Sequence, residues 1–207
     1  MSKLHVDKMA KAVKDYFAEA GIAEQKMKKI SGIYRQEFID SENKKIMEGL
    51  KAARQAAEAA IIDARESGRA EAAKWGELDG QKLSADAQLL QYDLTPEQYN
   101  QLVEKHRGNG TMAYLLRFYG QEHNEKLMNE TGKPGEMPKV QYNYWDVPTV
   151  EEKQAAYDKF AAGAISILDR IDSPGQIGGG TDSQMLKLAI EGFGTPSNTS
   201  QELFDLL

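Results

Sequence analysis

From Ile22 to Leu78 the chain has no proline and is rich in helix-forming residues. The stretch is therefore expected to form one long helix or two collinear ones, reaching roughly 85 Å at about 1.5 Å per residue. No other feature constrains the fold as strongly. Within it Ile46, Leu50, Ala53, Ala57, Ala60 and Ala64 alternate spacings of four and three, the seam of a left-handed coiled coil. Alanine buries little area, so at about 25 cal/mol per Å² the seam needs Ile61, Ile62 or a partner helix. Upstream, Ile30, Tyr34 and Phe38 step by four, and the heptad register is not continuous. Gly32, Gly49 and Gly68 each cost about 1 kcal/mol relative to alanine in a helix, and a break is expected at one of them.

The flanking segments read as shorter helices. Ser2 is placed to cap a first helix with apolar positions Met9, Val13, Tyr16, Phe17 and Ala20, ending at Gly21. Trp75 to Gly80 closes the long helical stretch, and Ser84 opens a short helix carrying Leu89 and Leu90. Thr95-Pro96-Glu97-Gln98 combines a capping threonine, a proline at the first helical position and a glutamine at the third. That helix should stop at Gly108. Gly110-Thr111 then starts another, with Leu115, Leu116, Phe118 and Tyr119 as its apolar side, so Gly108-Asn109-Gly110 links a helical hairpin.

Thr131 to Pro138 is a proline- and glycine-rich loop, and Val140, Tyr142 and Tyr144 alternate after it. One strand cannot make a sheet, so an extended segment clamped over the helical core is expected. Thr149 to Glu152 forms a capping box for a helix bearing Tyr157, Phe160, Ala161, Ala164, Leu168 and Ile171, ending near Ser173-Pro174. Gly178-Gly179-Gly180 precedes a further cap at Thr181 and the apolar Met185, Leu186, Ala189 and Ile190. The polar stretch Thr195 to Ser200 leads to an apolar tail, Leu203, Phe204, Leu206 and Leu207, whose spacing suits a helix docking in a partner's groove or in this chain's own core. The partner is the preferred reading. The expected fold is all-α: a helical arm over 1–80, a hairpin region over 81–130, a loop, extended segment and C-terminal helices over 131–193, and a spacer with tail over 194–207.

The chemistry the chain lacks narrows its function. There is no cysteine, so thiolate nucleophiles, disulfides and cysteine-ligated metals are excluded. Of the histidines, His5, His106 and His123, none has the glutamate three residues upstream that bundle di-iron sites use, and none lies in a His-Glu-x-x-His pattern. The triple glycine lacks the lysine and preceding strand of a phosphate loop. Residues 1–78 carry 15 Lys and Arg against 13 Asp and Glu, leaving 11 against 19 downstream. An acidic second half argues against nucleic acid as a partner. No apolar run reaches the length of a signal peptide or membrane span. The expectation is a non-enzymatic protein without cofactor or metal, working through protein partners and self-association in the cytoplasm.

The block Leu94 to Asn124, LTPEQYNQLVEKHRGNGTMAYLLRFYGQEHN, resembles helical hairpins in uncharacterised proteins from the structural gene clusters of tailed phages that infect Gram-positive bacteria. The charged, alanine-rich helix before it is similar too. The resemblance covers about a third of the chain and carries no catalytic motif, so it transfers no site residue. It implies a virion or head-assembly protein, scaffold-like or capsid-associated, acting in the bacterial host cytoplasm and in the virion. The competing class is an intracellular helical module, such as a phage-encoded regulator or inhibitor of a host protein. In either class the seam Ile46 to Ala64 and the tail Leu203 to Leu207 are the expected contact residues.

Overall fold

A computed structural model describes residues 3–31, 35–131, 141–173, 179–196 and 201–207. Every regular element among them is helical. These elements are α1 (Leu4–Ser31), α2 (Gln36–Gly76), α3 (Pro96–Lys105), α4 (Gly110–Thr131), α5 (Val150–Ile171), α6 (Gln184–Gly192) and α7 (Gln201–Leu206). Short 3₁₀ turns occur at Gly80–Lys82, Ala85–Gln91 and Tyr144–Asp146. The chain is all-α, and α1 and α2 pack together as a long helical arm. Two compact units form, one from residues 70–154 and one that joins 3–69 with 155–205. The linear division of the sequence does not describe this packing: α5 must bury an apolar face, and much of that face is buried with α1 and α2.

In the unit formed by 3–69 and 155–205, α1 buries Val6, Met9, Val13, Tyr16, Ala20 and Ala23. It runs through Gly21, where a stop was expected. Buried Ala20 and Ala23 flank that glycine, and packing outweighs a propensity cost of about 1 kcal/mol. The long stretch is neither one helix nor a collinear pair. Its first part belongs to α1, its remainder to α2, and the two helices pack together antiparallel, since the Arg54 guanidinium lies 6.0 Å from the Tyr16 ring while α1 ends at Ser31 and α2 begins at Gln36. The arm is thus an antiparallel pair of helices, α1 and α2.

Along α2 the buried residues are Ile39, Ala57, Ile61, Ala64, Gly68 and Ala72. Ala60, which the strict heptad places inside, is exposed. A straight helix drifts about 20° per heptad, and Ile61 offers more apolar area than Ala60. All six apolar positions expected on α5 are buried. This helix runs antiparallel to α2, with Asp158 bound by Arg69 and 3.9 Å from Arg65, while Asp169 and Asp172 lie 2.6 Å and 2.9 Å from Arg54. Gly180, at φ +79, donates its N–H to the Arg170 carbonyl at 2.9 Å and closes the end of α5.

The expected cap at Thr181 is replaced by Ser183, whose hydroxyl accepts from the Leu186 N–H at 3.3 Å. The Thr181 hydroxyl is instead committed to Glu24. Leu186 and Ile190 are buried, whereas Met185 faces out. The tail folds back on this chain. The Phe204 ring lies 4.9 Å from that of Phe160 with Lys3 above it, and Leu203, Leu206 and Leu207 are half-buried.

In the unit of residues 70–154, the capping box forms as expected, with Gln98 N–H to Thr95 Oγ1 at 3.3 Å and Thr95 N–H to Gln98 Oε1 at 2.9 Å. Thr149 and Glu152 repeat it at 3.1 Å and 2.8 Å. Asn109 caps α4 through the Met112 N–H. A side chain at Gly110 would overlap the Trp75 carbonyl, so this helix start must be glycine. The core is Leu94, Tyr99, Leu102, Leu116, Tyr119 and Tyr142. Tyr142 arrives on an extended segment and clamps the hairpin, its hydroxyl on the Leu94 carbonyl at 2.5 Å and its N–H on Asn124 at 2.8 Å. Val140 lies outside the described residues. Phe118, expected inside, is exposed because Met112, Leu116 and Tyr119 hold the buried face of α4.

Lys153 is buried in the same unit, with its Nζ 4.6 Å from the Trp75 ring and donating to the Leu206 carbonyl. Burial, with the Arg107 charge acting in the same sense and Glu71 in the opposite one, lowers its pKa to about 8.

A Cβ at Gly68 would lie 2.6 Å from the fully buried Tyr157 ring, whereas one at Gly49 would meet nothing. Gly68→Ala should lower unfolding free energy by about 1–3 kcal/mol, while Gly49→Ala in the same helix should raise it by up to about 1 kcal/mol. Urea denaturation of both variants checks the contrast. For Lys153 the folded pKa lies below the unfolded value of about 10.4, so the penalty is fully present below pH 8 and is relieved as pH rises. Between pH 8 and 10 the parent should gain stability relative to Lys153→Met, by up to about 3 kcal/mol at roughly 1.4 kcal/mol per pKa unit. Parallel stability–pH profiles would show that the ammonium is not desolvated.

Candidate interaction groove

α5 accompanies α2 only as far as Arg54, where Asp169 and Asp172 meet the guanidinium. Beyond that point α1 and α2 continue together, and a groove of about 800 Å³ opens along them. Its apolar wall is built by Ala20 and Met27 of α1, Met47 and Leu50 of α2, and Ile171 at the end of α5. Met47 is 53% exposed, so this wall faces solvent. Methionine suits such a surface because its unbranched, polarisable side chain adapts to different partners.

Fixed charge closes one end. Arg54 is held by Glu58 at 2.5 Å, Asp169 at 2.6 Å and Asp172 at 2.9 Å. Burial opposes its charge, but the Asp172 hydrogen bond and the neighbouring carboxylates outweigh it and hold the guanidinium above its ordinary value. Burial, reinforced by hydrogen bonding to Asp172, pushes the Tyr16 phenol far above its ordinary range and keeps it a neutral donor. On the α1 side, the hydrogen bond from Lys28, 2.7 Å away, and then that from Thr181, hold the Glu24 carboxyl below its usual value. The other rim differs. Among the described residues, Lys44 and Lys51 have no carboxylate within ion-pair distance.

Chemically, the groove offers an adaptable apolar wall with fixed charges at its border. Its phenol is locked as a neutral donor, and the Arg54 carboxylates are committed to the guanidinium. The histidines lie elsewhere. His106 Nε2 is 2.7 Å from Asp86, which Lys105 also binds at 2.6 Å. His123 stacks on Tyr119 at 3.8 Å, and His5 meets Tyr157 edge-on at 5.9 Å. Among the described residues, no group of three His, Asp or Glu is placed to hold a metal ion, and no helix is long and apolar enough to cross a membrane.

The expected contact residues are dispersed by the fold. Ile46, Leu50 and Ala53 are half-buried, lining a cleft of about 300 Å³ with Ile22 and Ala23 of α1. Ala57 and Ala64 are buried within the helical unit, and Ala60 is exposed away from them. Of the seam, only Leu50 reaches the larger groove. The tail residues Leu203, Phe204, Leu206 and Leu207 lie outside it. Sequence reasoning missed Lys44, Met47 and Lys51. Their spacings of three, four and three up to Arg54 were the available signal, masked by the stronger alanine pattern one face away. No protein-family model, no curated protein and no solved structure was found to match this chain.

Proposed function

We propose that this chain is a non-enzymatic protein–protein interaction component, a scaffold-like or capsid-associated protein of tailed-phage head assembly. The observation that carries the interaction role is the apolar wall of exposed Met47 and half-buried Met27 and Leu50 on a preformed helical hairpin. An uncovered apolar groove between helices receives an amphipathic helix through anchors spaced three, four and seven residues apart. A hairpin already folded loses little conformational freedom on binding, which leaves more of the contact energy for affinity. The assignment to head assembly rests on the resemblance of Leu94 to Asn124 to phage hairpin proteins. In this reading the chain acts in the host cytoplasm during assembly and has no cofactor.

The test is co-purification from infected cells. Tagged parent protein should bring down a capsid or other virion protein, and Met47→Glu should lose about tenfold or more of that capture, because truncating or charging an interface anchor costs on the order of 1–2 kcal/mol. Since Met47 is half exposed, circular dichroism should show an unchanged fold. Capture that survives Met47→Glu removes the groove from the interface. Recovery of a host regulatory protein in place of any virion component overturns head assembly.

A further inference from the structure

We infer that the groove receives an acidic amphipathic helix of another protein, lying where a continuation of α5 would lie; this rests on the reading of the groove as a protein-binding surface. The pairing of α5 with α2 supplies the template. Along one edge of α2, Arg69 and Arg65 face Asp158, and Arg54 faces Asp169 and Asp172. Each arginine of that edge is matched by a carboxylate of the antiparallel helix, while small and branched apolar residues fill the space beside the pairs. With 3.6 residues per turn, Lys51 and Lys44 fall within roughly 80° of Arg54 on the helix circumference, so they extend the same charged edge. The apolar stripe extends with them through Leu50 and Met47. What stops is α5, whose last helical residue is Ile171.

The edge therefore presents two lysines with no carboxylate within ion-pair distance among the described residues, with Glu48 between them in sequence on the same rim, beside apolar surface of the kind α5 covers further along. A helix with an apolar stripe and carboxylates about seven residues apart on one flank would reproduce that chemistry, because seven residues is the separation of Lys44 and Lys51. Complementary charges at the rim set orientation and steer the encounter, while the methionines and Leu50 supply the buried contact. A helix bearing lysines on that flank would meet like charge.

The test uses the full chain, which contains no cysteine, with Gln55→Cys carrying a polarity-sensitive fluorophore at the groove. The probes are two hydrocarbon-stapled peptides with the apolar pattern of residues 157–172, one bearing aspartates seven residues apart on the flank and the other lysines. The acidic peptide should give a saturable blue shift and the lysine peptide a weaker one. The double variant Lys44→Glu/Lys51→Glu should weaken the acidic peptide by roughly three- to tenfold, as expected for two partly exposed ion pairs, and should reverse the preference. Equal titration by both peptides, or by neither, overturns the inference. So does a doubled mass for the parent in light scattering that is lost in Met47→Glu, because a second copy then holds the groove. If Met47→Glu abolishes virion-protein capture while lysine reversal leaves it intact, the groove reading stands and the acidic helix falls. Peptide binding that reverses as stated, without any effect of Met47→Glu on capture, leaves this inference standing and removes the functional reading.

Discussion

Tyr157 packs against α2 at Gly68, where a single added carbon would lie 2.6 Å from the ring. This close approach is the contact on which the larger helical unit depends. In the same unit the small residues Ala57, Ala64, Ala161 and Ala164 are buried. The Tyr157 contact also sets the lengthwise register of the two helices. With Tyr157 opposite Gly68, Asp158 reaches Arg69 and Arg65, and antiparallel geometry brings Asp169 and Asp172 to Arg54 further along. A shift of one turn, about 5.4 Å, would remove every one of these carboxylates from its arginine. Exposed ion pairs contribute little stability individually, but as a set they discriminate between registers that an alanine-rich interface alone would tolerate.

The division between what the sequence revealed and what it concealed follows the range of the interactions. Capping boxes at Thr95 and Thr149 were legible because donor and acceptor lie three residues apart. The buried face of α5 was legible because Tyr157, Phe160, Ala161, Ala164, Leu168 and Ile171 keep one helical period without interruption. At Thr181 the local pattern failed: its hydroxyl is used by Glu24, which lies far away in sequence, and Ser183 takes the cap. Gly21 failed as a stop for a similar reason, since burial on both sides of it is a property of the assembled unit. The strict heptad overstated Ala60 because six seam residues fit a coiled coil, while the actual neighbours of α2 reward Ile61.

The candidate site was less legible than the fold. An alanine seam suggests an interface, and here Ala57 and Ala64 of that seam are buried within the chain. The groove depends on where α5 ends, and that cannot be read from the residues of α2. Once Ile171 is placed as the last residue of α5, Lys44, Met47, Leu50 and Lys51 stand out as a helical stripe that has lost its cover. The apolar tail followed the same rule in reverse: its composition required a receiving surface, and the Phe160 ring provides one within this chain.

The mismatch in helix length gives the groove its physical logic. α2 is 41 residues long and α5 is 22, about 60 Å against 33 Å at 1.5 Å rise per residue. Two helices meeting through small side chains bury little apolar area, and a third layer is what makes such an interface stable. Where α5 runs beside α2, that layer is present and the stripe is closed. Past Arg54, the stripe continues on α1 and α2 without it, and Met47 is left half exposed. Charge marks the same boundary: Arg54 is enclosed by three carboxylates on one side of it, and on the other the two lysines of the same edge have no such pairing among the described residues. An apolar wall that only needed to stay soluble would be better served by polar residues at Met47 and Leu50. On the function proposed above, retaining the third-layer chemistry beyond the end of the third helix is the arrangement expected of a surface whose cover comes from another molecule.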